Sequence, residues 1–68
     1  MSSRLLAPKE AAELLGISEW TLAHWRVAGI GPEYAKLGKG PKAAVRYPEV
    51  GLSSFVEKSL RQSTTEVA

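Results

Sequence analysis

The sequence predicts a mainly α-helical domain that carries one small β-hairpin. Three observations predict it. Two helix-forming stretches end at Gly16 and Gly29, Ser18 stands ready to restart a helix just after the first glycine, and two short alternating segments flank a Gly-Lys-Gly tip. With 68 residues, the chain is expected to form one domain, residues 1–68, with its core over about residues 5–60.

Met1 to Ala7 reads as a short lead-in. Pro8 suits the first turn of a helix, where its missing N–H has no partner to lose. Pro8 to Leu15 is rich in alanine, glutamate and leucine, all good helix formers. Ala12 and Leu15, with Ala11 and Leu14 alongside, form an apolar stripe at helical spacing. Gly16 ends this helix, because glycine readily takes the left-handed conformation. Ser18 caps a second helix that opens with Glu19 and Trp20 and runs to about Ala28, where Gly29 stops it. Leu22 and Trp25 share its inner face. Trp20, Ala23, His24 and Val27 point the other way. Two short helices joined by Gly16-Ile17-Ser18 make a helix-turn-helix pattern: a glycine to turn, an apolar plug and a cap.

Ile30-Gly31-Pro32 breaks the helical run. Glu33 to Leu37 and Ala44 to Tyr47 then read as two strands of a hairpin around Gly38 to Ala43. Alternation is expected to place Ala35 and Leu37 on one face with Val45 and Tyr47, and Lys36 and Arg46 on the wet face. An apolar inside, a cationic outside and a lysine-bearing tip are what a wing needs. Pro48 starts a third helix, in which Leu52, Phe55, Val56 and Leu60 follow helical spacing against the core and Val50 joins them. Gly51 is a poor helix former in that first turn, by up to roughly 1 kcal/mol relative to alanine. From about Arg61 the chain turns polar, and residues 61–68 are expected to fray.

Composition excludes several classes of function. Cysteine is absent, so there is no disulfide and no cysteine-ligated zinc. His24 is the only histidine, so no paired-histidine metal site exists. The serines lack a partnered base, and Glu10 and Glu13 are expected to face solvent rather than act as an acid–base pair. Gly38-Lys39-Gly40 is followed by Pro41, whereas a nucleotide-cradling P-loop needs serine or threonine after its lysine. No enzyme activity, metal or cofactor is expected. The apolar runs are too short for a membrane span and the N-terminus has no apolar leader, so the expected location is the cytoplasm.

The formal charge is only +2, but it is unevenly placed. Arg26, Lys36, Lys39, Lys42 and Arg46 face Glu33 alone between Trp20 and Pro48, a local net of +4, while the rest nets −2. A basic middle with acidic flanks suits a polyanion. A helix fits the major groove and reads base edges near its N-terminus. The candidates there are Ser18, Glu19, Trp20, Thr21 and His24, with Arg26 suited to a backbone phosphate. Lys36, Lys39, Lys42 and Arg46 supply charge from the wing. About five such cations imply a log K versus log salt slope near −4 to −5.

The run from Leu6 to Ser18 (LAPKEAAELLGIS), followed by Thr21-Leu22 and Trp25-Arg26, resembles the start of MerR-like winged helix-turn-helix domains. With Gly29, Gly31-Pro32, Tyr34, Lys36-Leu37-Gly38 and Val45-Arg46-Tyr47, it looks like the subgroup of small phage excisionases and AlpA-type regulators. The likeness spans roughly Leu5 to Val56. It implies a second helix in the major groove and a hairpin against the minor groove of double-stranded DNA. For an excisionase it implies binding to attachment-site repeats, DNA bending, and work with a phage integrase in a bacterial host cell. Separately, one module of this size should bury about 600–1,000 Å² on DNA, so self-association of several copies along the repeats is expected to supply the specificity. The chain departs from the family pattern at Ala7, where serine or threonine is usual, and at Trp20 and His24, where basic residues are common. It also has Pro48-Glu49 in place of a Ser-Asp cap near Val50. An AlpA-type transcription regulator would need the same surface. An adaptor that binds a protein through Trp20 would instead show little affinity for duplex DNA.

Overall fold

The computed structural model of the chain describes residues 4–60. In chain order the elements are β1 (Leu5–Leu6), α1 (Pro8–Leu15), α2 (Glu19–Ala28), β2 (Ala35–Leu37), β3 (Ala44–Pro48) and α3 (Glu49–Ser59). Three helices thus stand with a small antiparallel sheet of order β1-β3-β2. The frayed tail expected over residues 61–68 lies outside the described residues.

Both glycine stops are where the sequence puts them. Gly16 has φ 72°, and its N–H and that of Ile17 close the end of α1 onto the carbonyls of Glu13 and Ala12. Gly29 repeats the device at φ 79° for α2, with Ile30 N–H donating to the Trp25 carbonyl. The start of α1 is only half capped. Glu10 Oε1 accepts from the Ala7 N–H at 3.0 Å, but the Ala7 side chain has no oxygen to return the bond.

The core joins residues from every layer. Leu6, Ala11, Ala12, Leu22, Tyr47 and Leu52 are buried, and Leu15, Ile17, Trp25 and Val45 pack around them. Two alanines on α1 let it approach β3 and α2 closely. Trp25 on α2 meets Phe55 on α3 with ring centroids 5.6 Å apart, fastening those two helices.

Four expectations need correction. Leu5–Leu6 is a strand rather than a lead-in, paired with Pro48 and Tyr47, and Leu6 is a core residue. The sheet therefore has three strands, with β3 in the middle. The hairpin register is also shifted in parity from the expected one. Ala35 stands opposite Arg46, Lys36 opposite Val45 and Leu37 opposite Ala44. Directly opposed residues share a face, so Lys36 lies on the Val45–Tyr47 side, while Ala35 and Leu37 lie on the Arg46 side. A shift of one residue exchanges the faces of a whole strand, and the six-residue connection from Gly38 to Ala43 does not by itself set the pairing. Tyr34, one residue before β2, fits this parity, since its ring lies 6.0 Å from that of Tyr47. The third correction concerns α3. It begins at Glu49, with Pro48 as its cap residue and the last residue of β3. Its buried side is narrower than its spacing suggests: Leu52 is buried, but Val50, Val56 and Leu60 are exposed. The fourth concerns α1, where Leu14 is likewise exposed rather than part of the stripe.

Gly51, a poor helix former by propensity, has a spatial reason to be glycine. It is buried, and a Cβ there would lie 2.8 Å from Glu33 Cγ. Glu33 comes from the segment before β2, so the contact joins two parts of the chain that local sequence does not connect.

Candidate nucleic-acid interface

Helix α2 is held in place at its N-terminus by Ser18. Its backbone is extended, its Oγ accepts from the Thr21 N–H at 3.0 Å, and its hydroxyl donates to Thr21 Oγ1 at 2.9 Å. Two of the expected readers, Ser18 and Thr21, are thus bonded to each other. Glu19 lies in the exposed first turn, where a carboxylate is favoured by the helix dipole.

The outward side of α2 is open to solvent. Trp20 is 72% exposed and Val27 86%. His24, one turn after Trp20, is exposed, and the two rings stack with centroids 5.0 Å apart and planes 14° from parallel. The i, i+4 spacing of Trp20 and His24 was visible in the sequence and is the signal that finds this pair. Val27 extends the same row by three residues, and the sequence reading left it out of the site.

Arg26 turns the other way. Its Nη1 donates to Tyr47 Oη at 2.9 Å, and its guanidinium carbon lies 5.8 Å from the centroid of the Tyr34 ring. Tyr47 is 1% exposed, so the arginine satisfies a hydroxyl that has left water. Arg26 therefore joins α2 to the root of the β2–β3 hairpin. Tyr34 is a partner in this joint that residue type alone did not single out.

On the hairpin, Lys36 and the tip residues Lys39 and Lys42 are exposed. Gly38 (φ 121°) and Gly40 (φ 88°) let the tip turn in conformations closed to most side chains. No carboxylate lies within ion-pairing distance of these three lysines among the described residues. Arg46 is half-buried, and its Nη1 donates to the Val45 carbonyl at 2.7 Å.

The ten candidate residues thus divide into three groups. Glu19, Trp20 and His24 form the open end of α2, beside the capping pair Ser18 and Thr21. Lys36, Lys39 and Lys42 are hairpin cations with no carboxylate partner among the described residues. Arg26 and Arg46 are partly drawn into the molecule's own contacts. Among the described residues, no group of three histidine, cysteine, aspartate or glutamate side chains is placed to hold a metal ion, and no helix is long and apolar enough to cross a membrane. Comparison with protein-family models, curated proteins and solved structures yields no match to this chain.

Proposed function

We propose that the chain is a double-stranded DNA-binding module of the winged helix-turn-helix kind. In this reading α2 enters the major groove and the β2–β3 hairpin is the wing. Within that class we propose a phage excisionase, an accessory protein that binds and bends attachment-site DNA and directs an integrase towards excision. It performs no bond chemistry itself. The observation that carries the reading is the joint made by Arg26. It fixes an outward-facing, N-capped helix to a hairpin bearing three exposed lysines, so one body offers both a shape for the groove and charge for phosphates.

Arg26 and Arg46 are engaged internally, so Lys36, Lys39 and Lys42 remain for phosphates. The expected slope of log K against log salt is about −2.7, shallower than five cations would give. Changing Lys36, Lys39 and Lys42 together to alanine should flatten it by about 2.7. Binding that ignores both salt and these lysines overturns the DNA reading. The finer assignment is tested by an excision assay with the cognate recombinase, with and without the chain. A shift from integration towards excision supports it. An unchanged direction, with DNA binding intact, assigns the same surface to a transcription regulator of the AlpA type.

A further inference from the structure

Exposed polar and charged groups normally dominate a surface that reads base edges, and α2 has few to offer. Arginine and lysine read guanine, and asparagine and glutamine read adenine, through paired hydrogen bonds in the major groove. The sequence of α2, EWTLAHWRVA, contains neither lysine, asparagine nor glutamine, and its one arginine bonds to Tyr47. Ser18 and Thr21 are bonded to each other. Apart from the exposed first-turn carboxylate of Glu19, what the helix presents outward is the row Trp20, His24 and Val27 at i, i+4 and i+7, with Trp20 72% and Val27 86% exposed. The near-parallel stack of Trp20 on His24 presents the indole as a flat apolar surface. The major-groove edge of a base pair has one apolar feature to match such a surface, the C5-methyl group of thymine.

We infer that the Trp20–Val27 row of α2 selects sites by packing on thymine methyl groups. The inference rests on the DNA-binding reading and names what that interface recognises. Charge complementarity favours DNA as the occupant, because the same body carries the exposed Lys36, Lys39 and Lys42 that a polyanion requires. Affinity and choice are then divided between elements. The hairpin holds any duplex through its phosphates, and the helix prefers duplexes with methyl groups at the right positions. His24 stacks on the indole of Trp20 beside this row. Burying one methyl group is worth roughly 0.8 kcal/mol, or about fourfold in affinity.

The test replaces thymine by deoxyuridine, which removes the methyl and leaves the hydrogen-bonding edge unchanged. A duplex is first selected by the full chain from a random-sequence pool, and its all-thymine and all-uracil forms are compared by fluorescence anisotropy. The expected result is a thymine-containing selected site and about fourfold weaker binding to the uracil form for each methyl contacted. Trp20→Ala and Val27→Ala should each lower the thymine-to-uracil ratio towards one while leaving the salt slope unchanged. Both positions are exposed, and matching urea midpoints verify that the variants fold. Equal binding to the two forms, with the salt dependence intact, overturns the inference and leaves the DNA reading standing, as does a selected pool without thymine. No salt-dependent duplex binding at all removes both and assigns the apolar row to a protein partner.

Discussion

Replacing Arg26 with alanine should harm folding far more than it alters contact with DNA, and the size of the effect follows from what Arg26 touches. Its Nη1 is the hydrogen-bond partner of Tyr47 Oη, and Tyr47 is 1% exposed, so truncation strands a buried hydroxyl. Leaving such a group unpaired costs about 1–3 kcal/mol. The guanidinium also lies over the Tyr34 ring, a contact worth about 0.5–1 kcal/mol where it is partly exposed. Together these give a loss of about 1.5–4 kcal/mol. A domain of this size rarely has more than about 3–5 kcal/mol to lose. Urea unfolding followed by tryptophan fluorescence should show a markedly lower midpoint with the same m-value. The Tm should fall by at least about 6 °C, at about 4–8 °C for each kcal/mol. Tyr47→Phe should be milder, because it removes the buried hydroxyl and leaves a half-exposed guanidinium that water can reach. In the Arg26→Ala/Tyr47→Phe cycle the two changes should therefore cost less together than the sum of each alone. At temperatures where Arg26→Ala is folded, its salt slope on DNA should match the wild type. A loss below about 0.5 kcal/mol with additive changes in the cycle would refute the joint, and a flattened salt slope would return Arg26 to the phosphate contacts.

Three further substitutions test the packing and caps. Gly31→Ala should destabilise by about 1–3 kcal/mol in urea unfolding, since φ is +87° there and a Cβ would lie 3.0 Å from Trp25 Cε3. Gly51→Ala should fail to stabilise α3 in the wild type, where Glu33 Cγ blocks the new methyl, but should stabilise it by up to about 1 kcal/mol in a Glu33→Ala background. Equal effects in the two backgrounds would show that Glu33 does not occupy that space in solution. Ala7→Ser should add about 1 kcal/mol by completing the reciprocal cap with Glu10, and thermal unfolding with no rise in Tm would count against the cap geometry.

The features legible in the sequence are those decided by neighbouring residues. Gly16, Ser18 and Gly29 act within a turn of helix, so their roles and the bounds of α1 and α2 follow from residue type. The outward position of Trp20 and the inward one of Leu22 follow from helical spacing in the same way. Pairing between distant segments was not legible. Leu5–Leu6 has no strand pattern of its own and becomes a strand only because Tyr47 and Pro48 lie beside it. The parity of β2 depends on the match of Tyr34 to Tyr47 and of Lys36 to Val45, and alternation within each strand allows either choice. In the candidate interface, residue type nominated Arg26 and Arg46 as phosphate ligands. Tertiary contacts to Tyr47 and Val45 engage one nitrogen of each. The outward position of Trp20, His24 and Val27 follows from helical spacing, and Val27 stands outside the ten candidates because valine has no hydrogen-bonding or charged group to nominate it.

The central position of β3 bears on how the molecule assembles itself. Residues 5 and 6 are made well before residues 47 and 48 and have nothing to pair with until then, because β1 docks only on the far edge of that strand. Closing so long a loop is slow relative to forming either helix. The β1 segment, with the apolar side chain of Leu6 uncovered, must therefore wait for β3 before it becomes native.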